Sequence, residues 1–131
     1  MINYAINKVQ QKYILLLSMF LISCTGKDVE NITIKGTVFN KHTQKPIKNE
    51  NIVIEIECWK YANSPDESYA EHEKKHVETD HNGNYTVSFN KGAFVTFNLG
   101  TNEHGGYFVN ASNLYINKSE NIYNIYLIPI H

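Results

Sequence analysis

The chain has no arginine: all twelve of its basic residues are lysine, set against 13 acidic residues in a total of 131. Nucleic-acid binding calls for a basic face and guanidinium forks, and neither is present. Long apolar runs are also missing. The stretch Tyr13 to Ile22 (YILLLSMFLI) is only about ten residues, half of the roughly 20 that a helix needs to cross a ~30 Å hydrocarbon core. It cannot serve as a permanent anchor by itself. Beyond Asn31 no convincing amphipathic helix competes with strand-like alternation.

What the N-terminus does contain is a secretion signal. Lys8 and Lys12 precede the apolar run with no acidic residue among them, the run falls within the 7–15 residues of a signal-peptide core, and polar Thr25-Gly26-Lys27-Asp28 follows. At the expected cleavage point Leu21, Ile22, Ser23 and Cys24 resemble, position by position, the lipobox of bacterial lipoproteins. The resemblance implies that Cys24 becomes the first mature residue, with a diacylglycerol on its sulfur and an acyl chain on its amine. Each buried CH₂ contributes about 0.8 kcal/mol, and two or more chains convert marginal membrane binding into stable anchoring.

In Gram-negative lipoproteins an Asp after the Cys favours the inner membrane. This chain has Thr25 there, so the resemblance implies an outer-membrane, lipid-anchored location, on the periplasmic face or the cell surface. Lys27-Asp28-Val29-Glu30 is similar to the lysine-then-acidic tag that sends some lipoproteins to the surface, with Val29 interrupting it. The chain is expected to divide into a signal peptide (1–23), a lipidated tether (24–30) and one domain (31–131).

Removing the signal leaves roughly 108 residues, with about 10 lysines against 13 acidic residues, enough for one core of two packed layers and mildly acidic. With Cys24 acylated only Cys58 remains, so no intrachain disulfide can form. Cys58 reads as a small buried hydrophobe.

Short runs rich in Ile, Val, Tyr, Phe and Thr alternate with Asn, Gly, Pro, Asp and Lys clusters about every 8–12 residues, the pattern of a β-sandwich. Ile32, Ile34 and Val38 share a face of the first strand. Ile52, Ile54, Ile56 and Cys58 share a face of the second, with Glu55 and Glu57 pointing away. Tyr69 to Thr79 is polar, either a solvated strand or a short helix. Tyr85, Val87 and Phe89 alternate after an Asp80-His81-Asn82-Gly83 turn, and Val95 and Phe97 share a face. Tyr107 to Val109 and Leu114 to Ile116 are short apolar runs, and Asn121 to Ile130 reads as one final strand. About seven strands result, packed as two antiparallel sheets, an all-β sandwich of prealbumin-like or Ig-like type.

Ile34-Lys35-Gly36-Thr37-Val38, Thr43-Gln44-Lys45-Pro46-Ile47, Ile52 to Ile56 and Thr79-Asp80-His81-Asn82-Gly83-Asn84-Tyr85 resemble the signature of carboxypeptidase regulatory-like, or prealbumin-like, domains. That resemblance spans most of the mature chain. It departs at Asn49 or Asn51, the position before the second strand where a small residue or glycine is usual, and in a longer insert between Tyr61 and Thr79. It implies an accessory module without catalytic residues; fold likeness constrains structure more than function.

Two features suggest chemistry. His72-Glu73-Lys74-Lys75-His76 matches the H-E-x-x-H pattern of zinc hydrolases, in which two His one helical turn apart hold the metal and Glu activates water. Only a helix can bring these imidazoles together, because in a strand they stand about 13 Å apart, and Lys74 and Lys75 place positive charge beside a dication. Asp80, Asn82 and Asn84 alternate like a calcium loop, yet Gly83 is misplaced and no closing Glu follows. The second feature is aromatic. Trp59 and Tyr61 share the strand face opposite Cys58, near Tyr69, and form a candidate surface for a glycan or partner protein.

The expectation is a non-enzymatic lipoprotein whose partners are the membrane, through Cys24, and a protein or glycan, with no cofactor and no metal ligands. The rival readings are a glycan- or protein-binding surface lipoprotein using Trp59, Tyr61 and Tyr69, and a small zinc hydrolase built on His72, Glu73 and His76.

Overall fold

A computed structural model describes residues 27–61, 69–99, 106–111 and 114–129, with Tyr69, Ala70 and Phe108 described by their backbone alone. The signal segment and Cys24 lie outside the described residues. Eight strands follow one another: β1 (Val29–Asn40), β2 (Val53–Tyr61), β3 (Tyr69–Glu78), β4 (Asn84–Gly92), β5 (Phe94–Leu99), β6 (Tyr107–Asn110), β7 (Glu120–Ile122) and β8 (Asn124–Leu127). They form two sheets. The larger has the order β4-β1-β8-β6 with β7 also on β1, and the smaller is β3-β2-β5.

The expected alternation forms the core. Ile32, Ile34 and Val38 of β1, Ile54, Ile56 and Cys58 of β2, Val95 of β5 and Ile125 of β8 are fully buried, joined by Tyr85, Val87 and Phe89 of β4. Each fully buried aliphatic side chain contributes about 1.5–3 kcal/mol relative to exposure. The chain is therefore an all-β sandwich, with eight strands among the described residues where about seven were expected.

The last part of the chain differs in detail from the single strand expected at Asn121 to Ile130. It is broken at Tyr123, and both β7 and β8 run parallel to β1. The break is set by contacts with β1 and β4. Tyr123 donates its N–H to Lys35 O at 2.9 Å, and its carbonyl accepts the Tyr85 hydroxyl at 2.5 Å. Gly36 occupies an inward position of β1 against that same carbonyl, and a Cβ there would stand 1.9 Å from the oxygen. Glycine at 36 is what lets the two backbones meet.

Leu114 to Ile116 is not a full strand. Tyr115 makes an isolated bridge to Phe94, while Leu114 O and Ile116 N bond Val95 N and Ala93 O at 3.0 and 2.8 Å. The polar segment at Tyr69 resolves as strand. Its inward positions hold Glu73 and Lys75, an ion pair at 3.3 Å; Lys75 Nζ also donates to Ser88 O on β4 at 2.7 Å and sits 5.1 Å from the Phe89 ring centroid.

The domain begins earlier than Asn31. β1 starts at Val29, and the Asp28 carboxylate accepts the Tyr61 N–H at 2.9 Å. Lys27-Asp28-Val29-Glu30 is thus largely part of the folded unit.

Candidate functional site

The outer face of the small sheet is where the sequence placed its candidates. Successive β2 side chains alternate, so Glu55, Glu57, Trp59 and Tyr61 point away from the core that Ile54, Ile56 and Cys58 enter. Pairing in β3 and β5 extends this into rows. Glu55 lies between His76 and Asn98, Glu57 between Lys74 and Thr96, and Trp59 between His72 and Phe94, with Tyr61 opposite Tyr69.

Half of this face is a closed polar network. Lys74 Nζ sits 3.1 Å from Glu55 Oε1 and 3.0 Å from Glu57 Oε1. His76 Nε2 is 2.9 Å from the other Glu55 oxygen. Thr96 Oγ1 donates to Glu57 at 3.4 Å, and Asn98 Nδ2 reaches Glu55 at 3.5 Å. The Lys74 hydrogen bond holds the Glu55 carboxyl below its ordinary range, and the bonds to Glu57 and Glu55 hold Lys74 above its own. Both shifts favour the charged forms, away from the near-neutral pKa that suits a general acid or base.

The other half is aromatic. The Trp59 and His72 rings stack at 4.3 Å with 30° between planes, and the indole N–H donates to Thr96 Oγ1 at 3.3 Å. Phe94 packs on Tyr115 at 5.1 Å, tilted by 55°, and Tyr115 is half exposed. A run His72-Trp59-Phe94-Tyr115 therefore crosses the sheet. Tyr61 stands two residues beyond Trp59. Tyr69 pairs with Tyr61 through its backbone; its side chain lies outside the described residues.

The zinc reading is corrected by this geometry. His72 to His76 is strand, not helix, so the imidazoles point the same way about 13 Å apart. Glu73 is on the opposite face, paired with Lys75. One His is stacked on Trp59 and the other bonded to Glu55. Among the described residues no group of three His, Cys, Asp or Glu side chains could hold a metal ion, and His81 stands in the far turn.

The calcium-like spacing has a plainer role. Asp80 Oδ1 accepts the N–H groups of Asn82 and Asn84, both at 2.9 Å, and the Asn84 bond leads in holding its carboxyl below the usual range. Gly83, at φ 83°, completes the turn. Cys58 is buried, and burial pushes its thiol up to about 11, an unreactive state.

A cleft of about 810 Å³ lies beside Tyr115 and is lined by Asn117, Lys118, Glu120 and Ile122 among others. Lys118 O there is already bonded by the Asn121 side chain at 2.8 Å.

Sequence reasoning missed Phe94, Tyr115 and the ring partnership of His72. Phe94 was within reach, since Val95 and Phe97 facing inward put it outward. Tyr115 joins through an isolated bridge that no periodicity signals.

No family model matches the chain. No curated protein matches it. Among solved structures it is similar to a cysteine-to-alanine mutant of a pilus-presented adhesin, Cpa, at 13% identity and a TM-score of 0.32, covering 78% of this chain and 28% of that one.

Proposed function

We propose that this chain is an outer-membrane lipoprotein, anchored through Cys24, whose β-sandwich is a non-catalytic binding or structural accessory module. The observation that carries the non-catalytic part is the fate of the single catalytic pattern in the sequence: His72 and His76 are strand-borne, separated, and engaged with Trp59 and Glu55. The lipobox-like Leu21-Ile22-Ser23-Cys24 carries the anchor.

The carboxypeptidase regulatory-like assignment is part of the same proposal. Its support is that five of the signature residues have a mechanical task. Gly36 admits the Tyr123 carbonyl. Thr79 Oγ1 accepts Ile52 N–H at 3.0 Å and donates to Glu50 O at 2.9 Å. Asp80 and Gly83 make the turn, and Tyr85 bonds Tyr123.

Replacing Cys24 with Ser should abolish acylation and release the protein from membranes; retention of the variant in the membrane fraction refutes the anchor. Metal analysis tests the second half. Stoichiometric zinc that disappears in His72→Ala would restore the hydrolase.

A partner on the aromatic face is a second reading, favoured by the run of rings beside Trp59. Flat stacking of a sugar on Trp59 is the poorer form of it, because His72 covers one indole face and Thr96 takes the N–H.

A further inference from the structure

We infer that the aromatic end of the sandwich rests on the lipid bilayer, with Trp59, Tyr61, Phe94 and Tyr115 at headgroup level. This rests on acylation of Cys24, and it names what the aromatic patch meets.

Three features of the molecule point there, the first being where the chain enters the domain. Asp28 is hydrogen-bonded to the Tyr61 N–H. Val29 pairs with Gly92, and Ala93 donates to Trp59 O at 2.7 Å. Phe94 pairs with Trp59 and bridges to Tyr115. The four rings and the entry point of the tether therefore share one end of the molecule.

The second is reach. Cys24 precedes Asp28 by four residues, which at 3.8 Å per step is at most about 15 Å. The nine residues of β2 span about 30 Å. A lipid on Cys24 thus confines the Asp28 end to within half a strand length of the bilayer surface, while the end carrying Gly83 and Ile47 is free to stand away from it.

The third is chemistry. Trp and Tyr concentrate at membrane interfaces because each carries an apolar ring and one polar handle. Such insertion does not need an open ring face, so the His72 stack that hinders sugar binding does not hinder this. Charge contributes little: Lys27, Lys60 and Lys91 at this end stand beside Asp28, Glu30 and Glu71, with Lys60 and Glu71 paired at 3.7 Å. Tethering raises the local concentration of the rings at the surface, so weak individual insertion suffices to orient the domain.

Trp59 is the one tryptophan of the chain, so its fluorescence reports directly. The acylated protein is reconstituted in phosphatidylcholine vesicles with either plain or brominated acyl chains. Trp59 emission should fall on the brominated lipid, and raising the salt should leave that loss unchanged. In the double variant Trp59→Phe, Tyr126→Trp the reporter moves to the opposite end, where Tyr126 stacks on Phe39 at 5.1 Å, and its emission should be the same on both lipids. A protein that floats with the vesicles but shows no loss at Trp59, or equal loss at both positions, overturns the orientation while leaving the anchor intact. Failure to float, with an unmodified Cys24 by mass spectrometry, removes the anchor and the orientation together. Loss of quenching when a glycan or protein is added would make the patch that partner's surface and also overturn the inference.

Discussion

The two ends of the sandwich are built by different means. The turns at the end carrying Gly83 are made by short-range chemistry: Asp80 bonds two amides of its own turn, Gly83 takes φ 83°, and Asn40 accepts the N–H groups of His42 and Thr43. The end carrying Trp59 is made of long-range contacts. There Asp28 meets Tyr61 across 33 positions, His72 meets Trp59, and Tyr115 meets Phe94. The first kind can be read from consecutive residues, because a turn needs particular residue types at fixed offsets. The second exists only once the strand register is set.

The comparison can be tested from the middle outward. Gly36 joins β1 to Tyr123 and serves both ends, so Gly36→Val should be the most damaging substitution. With a Cβ 1.9 Å from a backbone oxygen, it should cost about 3 kcal/mol, read as a lowered urea midpoint or absence of folded protein. Next comes the turn end. Gly83→Ala places a side chain in the left-handed region against Ile47 O at 2.6 Å, and should cost about 2 kcal/mol in the same assay. Thr79→Val strands the Ile52 N–H and should cost about 1–2 kcal/mol.

The entry end should respond more weakly in global stability. Asp28→Ala removes a single part-buried bond and should cost about 1 kcal/mol or less. Its clearer sign is faster hydrogen exchange at the Tyr61 amide; unchanged exchange would mean that Asp28 does not pin this end.

The smallest expected effect is on pH dependence. Asp80, Glu55 and Glu120 all have carboxyls held below their ordinary range, first by the Asn84 amide, by Lys74 and by Lys35 respectively. A depressed folded-state pKa contributes stability that is present above the unfolded value and lost as pH falls through the folded one. Acidification from about pH 6 to about pH 3 should therefore lower the urea midpoint, and Asp80→Asn should flatten that slope.

The sequence made the sandwich legible wherever one face of a strand is buried. Ile52 with the even-numbered β2 residues from Ile54 to Cys58, and the odd-numbered β4 residues from Tyr85 to Phe89, announce themselves by period two. It left β3 open between strand and helix for a physical reason. Two of its inward positions are Glu73 and Lys75, whose charges satisfy each other and the edge of β4, leaving Val77 to pack against the core, so no run of apolar alternation appears. It also joined β7 and β8, since nothing at Tyr123 itself marks the break; the cause is Gly36, 87 positions earlier. For the candidate site, Trp59 and Tyr61 were visible as an outward pair near Tyr69, and Phe94 was within reach of the alternation, whereas the His72 stack and Tyr115 could be found only in space.

Lys75 has one more consequence. β4 is an outer strand of its sheet, and such a border invites another chain to add itself by backbone pairing. Because the Lys75 ammonium already engages the Ser88 carbonyl, an approaching copy meets a positive charge and an occupied acceptor midway along that border. That contact blunts β4 as an edge for backbone pairing with another copy.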